Sequence, residues 1–190
     1  MIYIKDDFLP KEIINYFEND TSEFKEFETP GKSFWVKELP VPFTQAVCDK
    51  ISILEGCDIE LVLMFVRQAK ENQDNDWRIH NDSQHYKNGK PNRAVVLYLS
   101  KENEEGLNGT AFWSHKDYGD IYSGEGDEEY DRMLKEESND ISKWELKTVI
   151  GHKQNRLISY PCEYFHSKYP NEFKNNREVI VMFYKTKPNE

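Results

Sequence analysis

The chain has 190 residues, 35 of them acidic and 25 basic, which gives a formal net charge of −10. Such a charge repels nucleic acid and anionic membranes unless basic residues are segregated, and the sequence contains no basic segment. Aromatic residues make up 14% of the chain, which supplies enough large side chains for a core and excludes wholesale disorder. We therefore expect one domain over residues 1–190.

The sequence favours a cytoplasmic protein that does not enter a membrane. The longest apolar run, residues 61–66, is far too short to span a bilayer. The first residues do not follow the basic-then-apolar pattern of a secretion signal. Three cysteines without a Cys-x-x-Cys motif indicate reduced thiols, not a disulfide framework or a zinc-thiolate site.

The first 57 residues are predicted to form a mainly helical support. Residues 2–4 are typical of a short strand. Residues 11–17 and 44–54 carry apolar side chains at helical spacing, and the second helix is expected to begin with Thr44 as its cap and to end at Gly56. The polar residues 20–32, which contain a Pro-Gly pair, predict a loop.

Residues 58–185 have the pattern of a β-rich core. Acidic residues 118–140 predict an exposed excursion that is helical over 128–137. About eight short strands behind two helices indicate a mainly β, α+β domain, either a sandwich or a barrel. The predicted strands are residues 59–66, 77–82, 93–100, 110–114, 144–150, 155–160, 164–167 and 178–185.

Two histidine motifs are candidates for metal binding. His80-Asn81-Asp82 and His115-Lys116-Asp117 each place an imidazole and a carboxylate two residues apart, on one face of a strand. With a second histidine from a distant strand, such a pair makes the 2-His-1-carboxylate set that holds iron(II) with open positions. Spacing alone leaves both pairs open, and a surface histidine beside a carboxylate is the commoner meaning of each.

Three residues farther along could complete a site. His166 lies in an aromatic, strand-forming segment, where a packed histidine is the commoner alternative. Arg177 shares strand parity with Val179 and could present its guanidinium to a ligand carboxylate, although an arginine at a strand end is more often solvated. Tyr98 could direct its hydroxyl to the same carboxylate or simply pack in the core.

The other histidines, His85 and His152, lie in polar stretches, and we expect both to be solvated.

The order of these segments resembles the prolyl-4-hydroxylase-like branch of the 2-oxoglutarate/Fe(II) dioxygenases. His80-Asn81-Asp82 is similar to the family's His-x-Asp motif, and Tyr98-Leu99-Ser100 to the Tyr-Leu-Asn strand that follows it. Residues 108–112 resemble the Gly-Gly-Thr strand, and residues 155–160 resemble the later Asn-Arg-Leu strand. Phe165-His166-Ser167 is similar to the segment of the second histidine ligand. The resemblance covers residues 58–185.

The resemblance implies a double-stranded β-helix, or jelly roll, supported by the N-terminal helices. His80, Asp82 and His166 would hold Fe(II), and Arg177 with Tyr98 would bind the far carboxylate of 2-oxoglutarate. The implied enzyme is a dioxygenase that uses O2, releases succinate and CO2, and hydroxylates a C–H bond of a small molecule or a protein side chain. The order of segments selects the first histidine pair, and Trp77, Trp113 and His115 are then expected on the substrate side.

Two positions depart from the family pattern. Many relatives have Ser or Thr where this chain has Val179, which removes one hydrogen bond to the co-substrate carboxylate. Asn108 replaces the first glycine of the Gly-Gly-Thr turn.

Three other functions are alternatives to the dioxygenase. They are a jelly-roll binding or structural protein without the reaction, a nucleic-acid demethylase of the same superfamily, and more remotely a zinc isomerase. The net charge of −10 disfavours the demethylase.

Overall fold

The computed structural model describes residues 1–29, 32–69, 76–84, 86–101, 109–122, 128–172 and 176–187. Its helices are α1 (Lys11–Asn19), α2 (Val41–Glu55) and α3 (Glu128–Glu137), with a 3-10 turn at Ile141–Lys143. Its strands are β1 (Tyr3–Lys5), β2 (Lys25–Thr29), β3 (Lys32–Lys37), β4 (Ile59–Ala69), β5 (Arg93–Tyr98), β6 (Gly109–His115), β7 (Trp144–Gly151), β8 (Leu157–Pro161), β9 (His166–Tyr169) and β10 (Arg177–Thr186).

The strands form two antiparallel sheets, as the predicted jelly roll requires. The larger has the order β1-β8-β5-β10-β4-β3-β2, and the smaller has the order β7-β6-β9. Strand β10 lies between β4 and β5 and places Val179 beside both Arg67 and Tyr98. This register determines which side chains of the large sheet face the small one.

Apolar side chains form three clusters separated by the sheets. The first joins the large sheet to α1 and α2 and includes Val66, Leu97 and Ile180. The second, between the sheets, brings Tyr98 and Val179 of the large sheet against Phe112 of the small one. The third joins the small sheet to α3. Alternate residues of β4, β5 and β10 fall into the first two clusters because strand side chains alternate in direction.

The two N-terminal helices form close to their predicted positions. Helix α2 begins at Val41, after Pro40, so Thr44 is not its cap. Pro42 in the first turn costs no hydrogen bond, because the first N–H groups of a helix lack helical acceptors. Its end at Gly56 is confirmed, with a left-handed φ of 70° that glycine adopts without strain. No helix among the described residues has the length and apolar character to cross a bilayer.

The loop predicted over residues 20–32 is wrong over Lys25–Thr29 and at Lys32, which lie in strands, while residues 30 and 31 lie outside the described part of the chain. Strands β2 and β3 form a hairpin whose second strand extends the large sheet beside β4. Strand β2 lies at the sheet edge, and its Phe27 is exposed. An edge strand needs backbone hydrogen bonds but little apolar surface, so its polar composition concealed it.

Two further expectations need correction. Residues 77–82 do not form a strand; His80 makes a single antiparallel bridge with His166, and Arg78 has a left-handed φ of 43°. The acidic excursion is helical over Glu128–Glu137 as predicted, but it is not simply exposed, because Tyr130 and Met133 are buried in the cluster under the small sheet.

A buried ion pair attaches α2 to the large sheet. The Arg93 Nε lies 3.2 Å from Glu55 Oε1, and both side chains are at most 10% exposed. Arg93 also donates to Ser159 Oγ at 2.8 Å, and Tyr184 donates its hydroxyl to Glu55. Removing either charge would leave the other buried without its counter-ion.

We expect Arg93→Met to lower the free energy of unfolding by about 3 kcal/mol, because breaking a buried pair strands a charge. Urea denaturation measures the loss. The matched control is Lys147→Met, which breaks an exposed pair with Glu145 and is expected to cost less than about 1 kcal/mol. Equal losses in the two variants would contradict this role of Arg93.

Candidate metal centre

Three side chains converge at one end of the space between the sheets. The ligand atoms of His80, Asp82 and His166 all lie within 4.8 Å of one another. The Nε2 atoms of His80 and His166 are 3.7 and 3.3 Å from the two oxygens of Asp82. Within the described part of the chain, this is the single group of three or more such residues with ligand spacing.

Backbone hydrogen bonds bring the distant members together. His80 and His166 exchange both N–H···O bonds, at 3.1 and 2.8 Å, where the 77–82 segment meets the start of β9. The Asp82 N–H donates to the carbonyl of Cys162 at 2.8 Å. The histidine rings lie 4.6 Å apart as a result, although 86 positions separate them in the sequence.

Both imidazoles are oriented by their second nitrogen. The Nδ1 of His80 lies 2.7 Å from the carbonyl of Arg78, and the Nδ1 of His166 lies 3.0 Å from the carbonyl of Tyr164. A carbonyl can only accept, so each Nδ1 carries a proton, and in the neutral ring the Nε2 lone pair is then directed toward Asp82. Backbone carbonyls that fix the tautomer in this way are usual for metal-binding histidines.

The surroundings of His80 favour its neutral imidazole. Burial, together with electrostatic repulsion between the two imidazoles, holds the pKa of His80 well below its usual value of 6.5. Burial raises the pKa of Asp82, while His166 and the Tyr160 hydroxyl oppose that shift. Neutral imidazole is the form that ligates a metal, so burial prepares His80 to bind a cation.

The residue between the ligands connects the centre to α3. Asn81 donates to the carbonyl of Tyr122 at 2.7 Å and accepts a hydrogen bond from the hydroxyl of Tyr130. The rings of Tyr122 and Tyr130 stack, with centroids 5.2 Å apart. The contact between Asn81 and α3 was not predicted, because the acidic composition of residues 118–140 indicated a solvated segment. The aromatic residues of that segment are the feature of the sequence that indicated burial.

We expect Tyr130→Phe to weaken Fe(II) binding about tenfold, because it removes the hydrogen bond that orients the His80–Asp82 segment. Anaerobic competition with a chromogenic chelator measures the affinity. Tyr118→Phe is the matched control, since its hydroxyl bonds the exposed Glu129 at 2.7 Å. Equal affinity in the two variants would contradict a supporting role for Tyr130.

The predicted carboxylate-binding residues are close to one another. The Arg177 guanidinium lies 5.0 Å from the ring centre of Tyr98 and hydrogen bonds with its hydroxyl. Tyr98 is fully buried, and its hydroxyl lies 2.8 Å from Thr110 Oγ1. Burial raises the pKa of Tyr98, so the hydroxyl keeps its proton and can donate to an anion.

His152 was expected to be solvated, and the structure corrects this. Its ring stacks on that of Tyr98 with centroids 4.7 Å apart, and its Nε2 lies 2.8 Å from the carbonyl of Ser100. His85 lies outside the described residues, as does Asn108.

The three residues expected on the substrate side occupy different places. Trp77 lines an open cavity together with His80. Trp113 is buried in the cluster under the small sheet and donates to Ser167 Oγ. His115 is buried with its Nε2 2.8 Å from Glu137, so the rival His115 pair is not part of the three-residue group.

Comparison with solved structures agrees with this architecture. A prolyl-4-hydroxylase from Pseudomonas putida has a TM-score of 0.58 and 10% identity, over 98% of this chain and 92% of that one. HygX from Streptomyces hygroscopicus, solved with nickel and 2-oxoglutarate bound, has a TM-score of 0.62 and 9% identity, over 98% and 83%. The viral collagen prolyl hydroxylase of Paramecium bursaria Chlorella virus 1 has a TM-score of 0.51 and 13% identity, over 98% and 96%.

No protein-family model matches the sequence, and no curated protein matches it either. The structural likenesses nevertheless extend over nearly the whole chain. They confirm the jelly-roll fold that the order of segments implied. In this chain that fold carries a His-Asp-His group.

Proposed function

We propose that the protein is an Fe(II)- and 2-oxoglutarate-dependent oxygenase that hydroxylates a C–H bond. The observation that carries this proposal is the convergence of His80, Asp82 and His166 within 4.8 Å in a jelly roll similar to those of 2-oxoglutarate-binding proteins. His166 belongs to a separate strand, so the group is assembled by the fold and is not a consequence of local sequence.

The donor set fits Fe(II). Two neutral imidazoles and one carboxylate are the ligands that non-haem iron oxygenases use, and three protein ligands leave coordination positions open. The orientation of both Nε2 atoms toward Asp82 supports the same assignment. When bound, Fe(II) with 2-oxoglutarate and O2 supplies oxidative decarboxylation to succinate and CO2, coupled to oxidation of the substrate.

Arg177 and Tyr98 are suited to hold the co-substrate. Arg177 offers a planar fork of donors that matches a carboxylate, and the protonated Tyr98 hydroxyl beside it offers another. Burial from water strengthens both interactions and lets this pair select a dicarboxylate of fixed length. Val179 adds no hydroxyl here, so these two residues carry the recognition.

The substrate is proposed to be a small molecule or a protein side chain. HygX has been solved with hygromycin B bound, and the other two neighbours are prolyl hydroxylases, so the fold accommodates both classes. The charge of −10 disfavours nucleic acid. We propose a cytoplasmic location, supported by three cysteines that are all free.

Succinate release tests the proposal. Protein reconstituted anaerobically with Fe(II) is exposed to O2, 2-oxoglutarate and pools of candidate substrates. We expect succinate only when Fe(II), O2 and 2-oxoglutarate are all present, and none above background from Asp82→Ala. Binding of Fe(II) and 2-oxoglutarate without succinate from any pool would instead favour the binding-protein alternative.

A further inference from the structure

The loop that joins the two sheets closes over the end of β5. It consists of residues 152–156, between β7 and β8. Gln154 donates from Nε2 to the carbonyl of Leu99 at 2.9 Å, and the Asn155 N–H donates to the carbonyl of Tyr98 at 2.8 Å. These bonds place His152, the first residue of the loop, beside Tyr98.

Two contacts define the position of the His152 side chain. Its ring lies nearly parallel to that of Tyr98, with an interplanar angle of 20° and centroids 4.7 Å apart. Its Nε2 lies 2.8 Å from the carbonyl of Ser100, which can only accept, so Nε2 carries a proton. This hydrogen bond fixes the rotation of the imidazole and keeps its face against the tyrosine ring.

The ring beneath His152 carries the hydroxyl that is proposed to bind 2-oxoglutarate. That hydroxyl lies 2.8 Å from Thr110 Oγ1 and hydrogen bonds with Arg177. The O–H bond of a phenol prefers the plane of its ring, so the ring plane sets the directions in which the hydroxyl can donate. The torsion that rotates an aromatic ring has a broad energy minimum, and packing against the ring face therefore determines its plane. His152 supplies such a contact.

The same histidine is connected to the start of β10. The Oγ of Ser100, whose carbonyl accepts from His152, also accepts the Glu178 N–H at 2.6 Å. The Leu99 N–H donates to the carbonyl of Glu178 at 2.9 Å. Glu178 directly follows Arg177, so residues 99 and 100 connect His152 to the strand end that carries the guanidinium.

Co-substrate binding in this chain depends heavily on the orientation of Tyr98. Val179 offers no hydroxyl, which leaves Arg177 and Tyr98 as the residues assigned to the far carboxylate. Hydrogen bonds to a carboxylate weaken steeply as their alignment worsens. A residue that fixes the ring plane of Tyr98 is therefore expected to affect co-substrate affinity without touching the co-substrate.

We propose that His152 is a positioning residue for 2-oxoglutarate, because its ring stacks on Tyr98 and holds that hydroxyl in the direction of the far carboxylate. This inference rests on the proposed function and adds a residue to the same site. In this role His152 acts through Tyr98 and makes no contact with the metal or with the co-substrate.

Calorimetric titration of 2-oxoglutarate into protein loaded anaerobically with Mn(II) tests the proposal without turnover. His152→Ala is expected to weaken 2-oxoglutarate binding about fivefold, as the loss of one ring contact implies. Mn(II) binding is expected to stay within about twofold of wild type, because His152 lies outside the ligand group.

Two further variants separate the ring of His152 from its hydrogen bond. His152→Phe keeps an aromatic ring and is expected to bind 2-oxoglutarate within about twofold of wild type, since stacking is retained. His152→Gln keeps a donor for Ser100 but has no ring, and it is expected to bind as weakly as His152→Ala. Gln154→Ala is the matched control; it removes a hydrogen bond from the same loop to Leu99 and is expected to leave the affinity unchanged.

A double-mutant cycle tests whether His152 acts through the Tyr98 hydroxyl. Tyr98→Phe keeps the ring and removes the hydroxyl, so adding His152→Ala to it is expected to change 2-oxoglutarate affinity by less than about twofold. A histidine that only stabilised the loop would weaken binding about fivefold with or without the hydroxyl, since independent effects add in free energy.

Four results would overturn the inference. They are wild-type affinity in His152→Ala, an equal loss in Gln154→Ala, an equal loss with and without the Tyr98 hydroxyl, and retained affinity in His152→Gln together with a loss in His152→Phe. If His152→Ala does not fold, the comparison of the Phe and Gln variants decides. Failure of 2-oxoglutarate to bind the Mn(II)-loaded wild type is a separate result, seen before any variant is measured, and it would reject the proposed function itself.

Discussion

Fe(II) binding is expected to be lost when either His80 or His166 is replaced by alanine. Each substitution removes one of three ligands, and the loss should exceed the ~10–100-fold that follows from removing an outer hydrogen-bond partner. Anaerobic equilibrium dialysis measures the iron bound per chain, and 2-oxoglutarate-dependent succinate release is expected to disappear with it.

The rival histidine pair provides the control for this experiment. Asp117→Ala and His115→Gln are expected to retain one Fe(II) per chain, because His115 is occupied by Glu137 and lies outside the three-residue group. Normal iron binding by both His80→Ala and His166→Ala would show that the site has been placed wrongly. Loss of iron in Asp117→Ala would favour the rival pair.

The second large effect is expected at Arg177. Arg177→Ala should raise the half-saturating 2-oxoglutarate concentration at least about 30-fold, since truncating one partner of a buried charge pair costs about 2–5 kcal/mol. Iron binding should be retained, because Arg177 is not part of the ligand group. Initial rates of succinate release over a range of 2-oxoglutarate concentrations give the value.

Lys185→Ala is the matched control for Arg177, because Lys185 lies on the same strand and pairs with Glu60 at the surface. It is expected to leave the 2-oxoglutarate requirement unchanged. Tyr98→Phe should give a smaller increase, of about tenfold or less, since it removes a single hydrogen bond. An unchanged requirement in Arg177→Ala would remove that residue from co-substrate binding.

The order of motifs was enough to predict the jelly roll. The central strands were predicted because they carry nearly continuous apolar runs, which are typical of strands buried on both faces. In β5, Val95 and Leu97 face the helices, while Ala94 and Tyr98 face the small sheet. The second strand, β2, was missed because an edge strand is stabilised through its backbone and can be polar.

The outer parts of the site were much harder to predict. The link from Asn81 to Tyr130 joins residues 49 positions apart, and the polar composition of the intervening excursion suggested solvent exposure. His152 lies in a polar stretch, yet it stacks on Tyr98. Composition reports the average surroundings of a segment and cannot show which single side chain turns inward.

Arg67 illustrates a signal that was present in the sequence. It directly follows the apolar run of β4, where a charged residue lies either near a strand end or inside the fold with a partner. Only the register with β10 shows that it shares the inner face with Val179. Arg78 lies in the segment 77–82, which was predicted to be a strand. Its left-handed φ of 43° is incompatible with a regular strand at that position.

The most direct test of the metal centre is an anaerobic absorption measurement on the Fe(II)-loaded protein as 2-oxoglutarate is added. If His80, Asp82 and His166 hold the iron with open positions, chelation of the 2-oxo acid is expected to produce a visible charge-transfer band. The band should saturate at one equivalent of 2-oxoglutarate per chain. It should be absent when Fe(II) or 2-oxoglutarate is omitted. Stoichiometric iron binding with no such band at saturating 2-oxoglutarate would contradict this account.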